Sequence, residues 1–331
     1  MTSSPHADPA DTGSAGPAVR RIGLGLAAVG RPGYINLGRD RDLPPGRGVD
    51  EMRRRTHELL DLAYADGVRY FDAARSYGRA EEFLAQWLDA ADRPGAVVSS
   101  KWGYTYTADW HVQAEVHEVK DHGTATYDRQ LAETRALFGD RLDVYQVHSV
   151  TPDSSALTDT ALHHRLAALA AEGVTVGLTT SGPAQGEAIR AALAVTVDGE
   201  PLFRSVQATW NPLEPSAGPA LADAHRDGRR IVVKEALANG RLAAPGPGLD
   251  RVLGPLAEAT GLSYDALALA AALAQPWAGV VLSGAATTGQ LASNLLAATA
   301  GLPQDRLTAL PAELAEPPAD YWAHRSRLPW N

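Results

Sequence analysis

The stretch "GVRYFDAARSYGRAEEFLAQWL" (Gly67 to Leu88) opens as a nearly uninterrupted apolar run and closes as a charged amphipathic pattern. The first part is what a strand buried on both faces looks like; the second has helical spacing. Asp72 and Tyr77 fall at the junction. Two readings are open there: the pair caps and packs a turn, or it projects into a site at the strand's C-terminal end.

The same alternation runs from Arg21 onward. Strand-like runs occur at "RIGLGL", "VRYFDA", "AVVSSK", "LDVYQVH", "VTVGLT", "RSVQAT", "RIVVKE" and "GVVLSG". Helical patterns lie between them at Glu51–Ala65, Ala80–Ala91, Thr126–Phe138, Ala161–Ala171, Pro183–Ala194, Pro215–Asp227 and Gly289–Ala300. Eight buried strands alternating with helices predict a single (β/α)8 barrel, a TIM barrel of the α/β class, rather than an open doubly wound sheet. No shift in composition marks a second domain. Residues 1–20, small, polar and Pro-rich, read as a disordered tail, and 21–331 as the barrel domain. Segments 30–48 and 101–123 read as long βα loops.

The chain has 331 residues, 45% of them hydrophobic, and a net charge of −9 without a dense Lys/Arg stripe. That balance argues against a phosphate-tracking nucleic-acid surface. No apolar run is long enough to span a bilayer, and the N-terminus lacks the apolar core of a secretory signal. A cytoplasmic protein is expected, with a small molecule as partner; no feature sets an oligomeric state. With no cysteine there is no disulfide, thiolate metal site or cysteine nucleophile.

In such a barrel the active face is built by residues just past the strands' C-terminal ends. Asp72 and Tyr77 follow the second strand, Lys101 ends the third and His148 the fourth; Thr179 and Thr180 end the fifth, and Gln207 lies in the sixth. A carboxylate, a phenol, an amine and an imidazole on one rim form a proton-transfer set. An ammonium from Lys101 is expected to lower the phenol's pKa, with Asp72 orienting the lysine and His148 hydrogen-bonding a carbonyl. Singly, each has a bland role as packing residue, turn acceptor, surface lysine or core histidine.

These residues resemble the aldo-keto reductase superfamily. "GVRYFDAARSYGRAEEFLAQWL", "VSSKWG", "LDVYQVHSV", "VTVGLTTSG", "VQATWNPLE" and "VLSGAATTGQLASNLLA" match its motifs in family order, from about Arg21 to Ala300. The resemblance implies an NAD(P)H-dependent oxidoreductase interconverting a carbonyl and an alcohol, with the cofactor extended across the barrel rim. It implies Tyr77 as general acid/base, Lys101 and Asp72 as its tuning pair and His148 as the carbonyl-orienting donor. Thr179, Thr180 and Gln207 would touch the carboxamide, Trp210 would stack on the nicotinamide, and Gly25, Asn211 and Leu237 would lie nearby. Ser283, Gly284, Thr287, Gln290 and Asn294 would surround the adenosine.

This sequence departs from the family pattern in two places. Thr179–Thr180 replaces a common Ser-Asn pair. Ala286 and Gln290 stand where relatives carry the cation that grips an NADP 2′-phosphate. Lys234 or Arg241 could supply that charge, and family habit keeps NADP ahead of NAD. The same fold also carries nucleotide-sensing, channel-associated β subunits, which gives a second reading as a catalytically weak NADP(H)-sensing protein. A metal-dependent hydrolase or lyase is a third, for which only His148 and Asp72 qualify as ligands.

Two stretches are decoys. "GLGLAAVG" has its third glycine displaced from dinucleotide-fingerprint spacing and reads as a turn after the first strand. His111, His117 and His122, with nearby acids, read as a solvated charged loop and not a metal site. For substrate, Trp102, Tyr104 and Trp110 after the lysine, with Tyr106, and Trp322 and Trp330 near the C-terminus, suggest aromatic walls for a sugar or a flat ketone.

Overall fold

A computed structural model describes residues 18–43, 46–299 and 301–331, side chains of 39 and 40 excepted. Eight strands follow in chain order: β1 Ile22–Gly25, β2 Tyr70–Asp72, β3 Val97–Trp102, β4 Val144–Val150, β5 Thr175–Thr180, β6 Ser205–Thr209, β7 Arg230–Lys234 and β8 Val280–Ser283. Each pairs in parallel with the next, and β8 returns to β1 through Leu24 opposite Ser283, closing the barrel. All eight expected strands are present, because each is buried on both faces and needs an unbroken apolar run.

The barrel interior changes character along its axis. Its middle layer is apolar, with Tyr70, Val144, Val232 and Leu282 in one cluster. Gly23 makes room there: a Cβ at that position would lie 2.8 Å from Leu282 and 3.1 Å from the Tyr70 carbonyl. Toward the strands' C-terminal ends the inward positions turn polar: Asp72, Ser99, Lys101, Gln146 and Gln207 are all buried and hydrogen-bonded to one another. Buried polar groups without partners cost a few kcal/mol each, so this layer holds only as a connected network.

The outer layer comprises α1 Val49–Ala65, α2 Ala80–Ala90, α3 Thr124–Phe138, α4 Thr160–Ala171, α5 Gln185–Leu193, α6 Gly218–Arg226, α7 Pro247–Thr260, α8 Tyr264–Leu273 and α9 Thr288–Thr299. Two more helices, α10 Gln304–Leu314 and α11 Pro318–Ser326, complete the chain. Asp159 caps α4, accepting from the Ala161 and Leu162 amides, which satisfies two of that helix's free N–H groups. Trp87 of α2 fixes the helix against its strand: its ring packs 5.2 Å from Phe71 while its N–H donates to Asp61 of α1 at 2.7 Å.

The seven expected helices appear within two or three residues of their sequence bounds. The pattern gave no bounds for α7, α8, α10 and α11. α8 is buried almost all round, so it has no polar face to reveal its period. Ala300, the expected end of α9, and residues 1–17 of the expected tail lie outside the described residues; Val19–Arg21 form a 3-10 turn with Val19 in the core. Segment 101–123 contains an antiparallel hairpin, Tyr104–Tyr106 with Glu118–Lys120, that rises over the rim. Among the described residues no helix is long and apolar enough to cross a membrane.

Candidate active site

At the C-terminal ends of the strands lies a cavity of about 430 Å³. Asp72, Tyr77, Tyr104 and His148 line it, and Lys101 sits directly beneath them. Lys101 Nζ donates to Asp72 Oδ2 and, at 2.8 Å, to the Ala73 carbonyl. The other Asp72 oxygen accepts from Ser99 at 3.0 Å and from the Gln207 amide at 3.1 Å. The carboxylate is therefore held by three side chains from β3 and β6. Lys101 Nζ lies 4.7 Å from the centre of the Tyr77 ring, and the His148 ring meets the Tyr77 ring edge-on at 5.5 Å. Thus β2, β3 and β4 bring the four expected residues together.

The electrostatics differ from the sequence expectation at Tyr77. Burial and then the Asp72 charge push its phenol well above the usual value, and Arg31 opposes them only partly. Lys101 does not reverse this, because Asp72 already balances its charge and burial lowers its own pKa. The phenol is accordingly kept protonated. Burial and then the nearby cations Lys101, Lys234 and Arg31 push His148 well below its usual value, so its imidazole is neutral. A protonated phenol and a neutral imidazole, side by side on the cavity wall, make a pair of hydrogen-bond donors.

Several expected contacts line the cavity: Gly25, Gln207, Lys234, Leu237, Ser283, Gly284, Gln290 and Asn294. Others do not. Trp210 is buried against Trp277 (5.7 Å, edge-on) and against Gly218, on the helical side of the wall. The reason is strand parity: Gln207 and Thr209 face inward, so Trp210 turns outward and is not among the residues lining the cavity. Thr180 likewise faces α5 and donates to Gln185, while Thr179 accepts the Ser149 N–H at 2.7 Å. Asn211 ties the loop after β6 to Glu235 and Tyr321. Thr287 accepts the Gln290 N–H.

The two cations expected to reach a 2′-phosphate are engaged elsewhere. Arg241 forms a bidentate pair with Glu316. Lys234 donates to Thr209 at 2.8 Å and pairs with Glu235, close enough to His148 to shift its titration. Of the expected aromatic wall only Tyr104 and Trp330 reach the cavity. Trp102 is fully buried between Tyr127 and His122, and Trp110 packs on Phe83 while its N–H donates to the Arg47 carbonyl. Trp322 is buried beside Glu214, and Tyr106 is outside the cavity lining.

The loop of histidines is not simply solvated. His122 is buried between Ser154 and the His148 carbonyl, and burial lowers its pKa to about 4. His117 stacks on Trp330 at 4.0 Å.

Sequence reasoning missed much of the mouth. Arg31 sits among the rings of Tyr34, Tyr77 and Trp330 and donates to Glu118 at 2.9 Å and to the Ser76 carbonyl. Glu235, at φ +55°, accepts from two nitrogens of Arg325 in α11. Ser149, Glu235, Ala238 and Asn239 all hold left-handed backbone although none is glycine. Such strain costs of order 1 kcal/mol or more per residue and clusters where a site needs a fixed shape. "RIVVKE" already showed Glu235 at a strand end, and Trp330 was among the expected wall aromatics; Arg31 and Arg325 lie in segments to which no element was assigned and carried no signal.

The barrel, with a buried acid–amine pair under a phenol and an imidazole at its active face, defines a class of barrel oxidoreductase. The profile of the Aldo/keto reductase family matches residues 22–312, and the chain belongs to that family. Solved structures with the same fold include an aldo-keto reductase from Bacillus halodurans in its holo form, at 22% identity and TM-score 0.66, covering 90% of this chain and 92% of that one. A glycerol dehydrogenase from Gluconobacter oxydans aligns at 20% identity and TM-score 0.66 over 89% of this chain and 91% of its own. Among curated proteins, "Aldo-keto reductase str7" from Strobilurus tenacellus is 29% identical over 135 residues, 40% of this chain and 37% of that protein's length.

The cavity's chemistry fits a nicotinamide dinucleotide, the cofactor of this oxidoreductase family. Ser149, Ser181 and Gln207 offer hydroxyl and amide partners near the catalytic end; Ser283, Gln290 and Asn294 offer them near β8. At Gly284 no atom lies within 4 Å of where a Cβ would stand, which leaves its backbone open to a ligand.

Proposed function

We propose that this chain interconverts a carbonyl and an alcohol with a nicotinamide dinucleotide, Tyr77 acting as the general acid in reduction and as the base in the reverse reaction. The observation that carries this reading is the Lys101–Asp72 pair seated under the Tyr77 ring, with His148 against its edge. When bound, the nicotinamide supplies or accepts the hydride. Neutral His148 and protonated Tyr77 converge on the substrate oxygen and hold it in place. As negative charge develops on that oxygen, the phenol gives up its proton, since an alkoxide is more basic than a phenolate. Lys101, restrained by Asp72, then stabilises the phenolate that this transfer leaves behind, so the lysine acts on the charged state rather than on the resting phenol. Gln207 holds Asp72 in place and lines the cavity, and would be a partner for the carboxamide of a bound nicotinamide. Tyr104 and Trp330, with the Arg31–Glu118 pair, form the substrate wall, which suits a polar carbonyl compound such as a sugar aldehyde, lactol or hydroxyketone.

The test is titration of the purified protein with NADH and NADPH by tryptophan fluorescence, followed by turnover with a panel of small aldehydes, ketones and sugars. Binding with turnover supports the enzyme. Binding with no turnover across the panel replaces it with the nucleotide-sensing reading, and failure to bind either nucleotide removes both.

A further inference from the structure

The cavity is asymmetric in charge. Among the described residues, the cations that line it are Arg31, Lys234 and Arg325. All three belong to the catalytic end: Arg31 lies over the Tyr77 ring, Lys234 acts on His148, and Arg325 is clamped on Glu235 beside it. The β8 end has no lining cation among the described residues. It has a carboxylate instead. Asp265, at the start of α8, lines the cavity beside Ser283, Gln290 and Asn294. One of its oxygens accepts the Asn294 amide at 2.7 Å, and Asn294 in turn accepts the Ser283 hydroxyl at 2.7 Å. The chain Ser283–Asn294–Asp265 fixes the carboxylate and leaves its second oxygen as an acceptor.

Side chains of the protein already take three amides at and just ahead of the start of α9. The Ala286 N–H donates to Gln290 Oε1 at 2.9 Å, the Gln290 N–H to Thr287 Oγ1 at 3.2 Å, and the Ala285 N–H to Ser283 Oγ at 3.3 Å. A helix N-terminus binds phosphate through such N–H groups. Here neutral acceptors already take the Ala285, Ala286 and Gln290 amides, so a phosphate reaching for Ala286 would have to displace Gln290 and then face Asp265.

We infer that this cavity takes NAD(H) in preference to NADP(H), with Asp265 accepting a hydroxyl of the adenosine ribose and Gln290 sealing the place where a 2′-phosphate would bind. The inference rests on the reading above that the β8 end receives the adenosine. It reverses the expectation from family habit. A carboxylate that accepts a ribose hydroxyl from the unphosphorylated dinucleotide meets a dianionic phosphate in the other, and the charge difference favours the first.

The experiment measures dissociation constants for NADH and NADPH by tryptophan fluorescence, on the wild-type chain and on an Asp265→Asn/Ala286→Arg double variant. The wild type is expected to bind NADH at least tenfold more tightly. The double variant is expected to gain at least tenfold for NADPH, with a new dependence on salt, while NADH affinity changes less. The asparagine introduced by Asp265→Asn keeps a side chain of the same shape, and a melting curve checks that the fold is retained. Equal or tighter NADPH binding by the wild type overturns this inference alone. No binding of either nucleotide overturns it together with the reading it rests on. A double variant that folds but shows no gain for NADPH overturns the assignment to Asp265 and Ala286.

Discussion

The two ends of the cavity are built on opposite principles. The catalytic end is dense with charge: Asp72–Lys101 beneath it, Arg31–Glu118 at the mouth, Lys234–Glu235–Arg325 along one side. The β8 end is a set of hydroxyls and amides around one carboxylate, with the Ala286 N–H already taken by Gln290. On the proposed function, charge is concentrated where a proton and a developing oxyanion are handled, and cations are withheld where they would select for a 2′-phosphate. On the proposed reading, the first end supplies the chemistry and the second selects the dinucleotide.

Breaking the charged end costs most. Lys101→Met leaves Asp72 buried without its counter-ion, and loss of one partner of such a pair destabilises by about 3–5 kcal/mol; chemical denaturation should show it, and reductase activity should disappear with it. Trp210→Leu sharpens the contrast from outside the cavity. It should lower stability by on the order of 2 kcal/mol through lost packing on Trp277, while NADH affinity stays within about twofold. A large loss of affinity with unchanged stability would place Trp210 back at the ligand.

A different effect separates the ends by pH. His122 and His148 have folded-state pKa values below that of a free histidine, so the unfolded chain binds more protons between them and stability falls as the pH drops. For His122 the window runs from about 6.5 down to about 4. The loss should approach about 1.4 kcal/mol per pH unit for each histidine within its window. Denaturation series at pH 7.5 and pH 5 measure it, and His122→Gln should reduce the slope by one histidine's share. The β8 end has no histidine among its lining residues, so NADH affinity should change less over the same range than stability does.

The strands were legible because a parallel barrel buries both of their faces, which leaves an unbroken apolar run. Asp72, Lys101 and His148 were legible because they interrupt those runs at their C-terminal ends. What failed was parity. Gln207 points inward, so Thr209 follows and Trp210 cannot; Lys101 points inward, so Trp102 is in the wall. Both facts were available from alternation alone. Arg31 and Arg325 were illegible for a different reason: their positions depend on long-range packing, such as the paired backbone bonds between Tyr34 and Asn331, that no local pattern encodes. Asp265 was hidden in a helix with no amphipathic stripe.

The central claim is that Tyr77 moves the proton and does little to hold the dinucleotide. Tyr77→Phe removes one oxygen and keeps the ring between Lys101, Arg31 and His148. Measured on that variant, the NADH dissociation constant should stay within about threefold of wild type while carbonyl reduction falls by about 10²–10⁴-fold. Reduction at near wild-type rate, or a collapse of NADH binding with the fold intact, would contradict it.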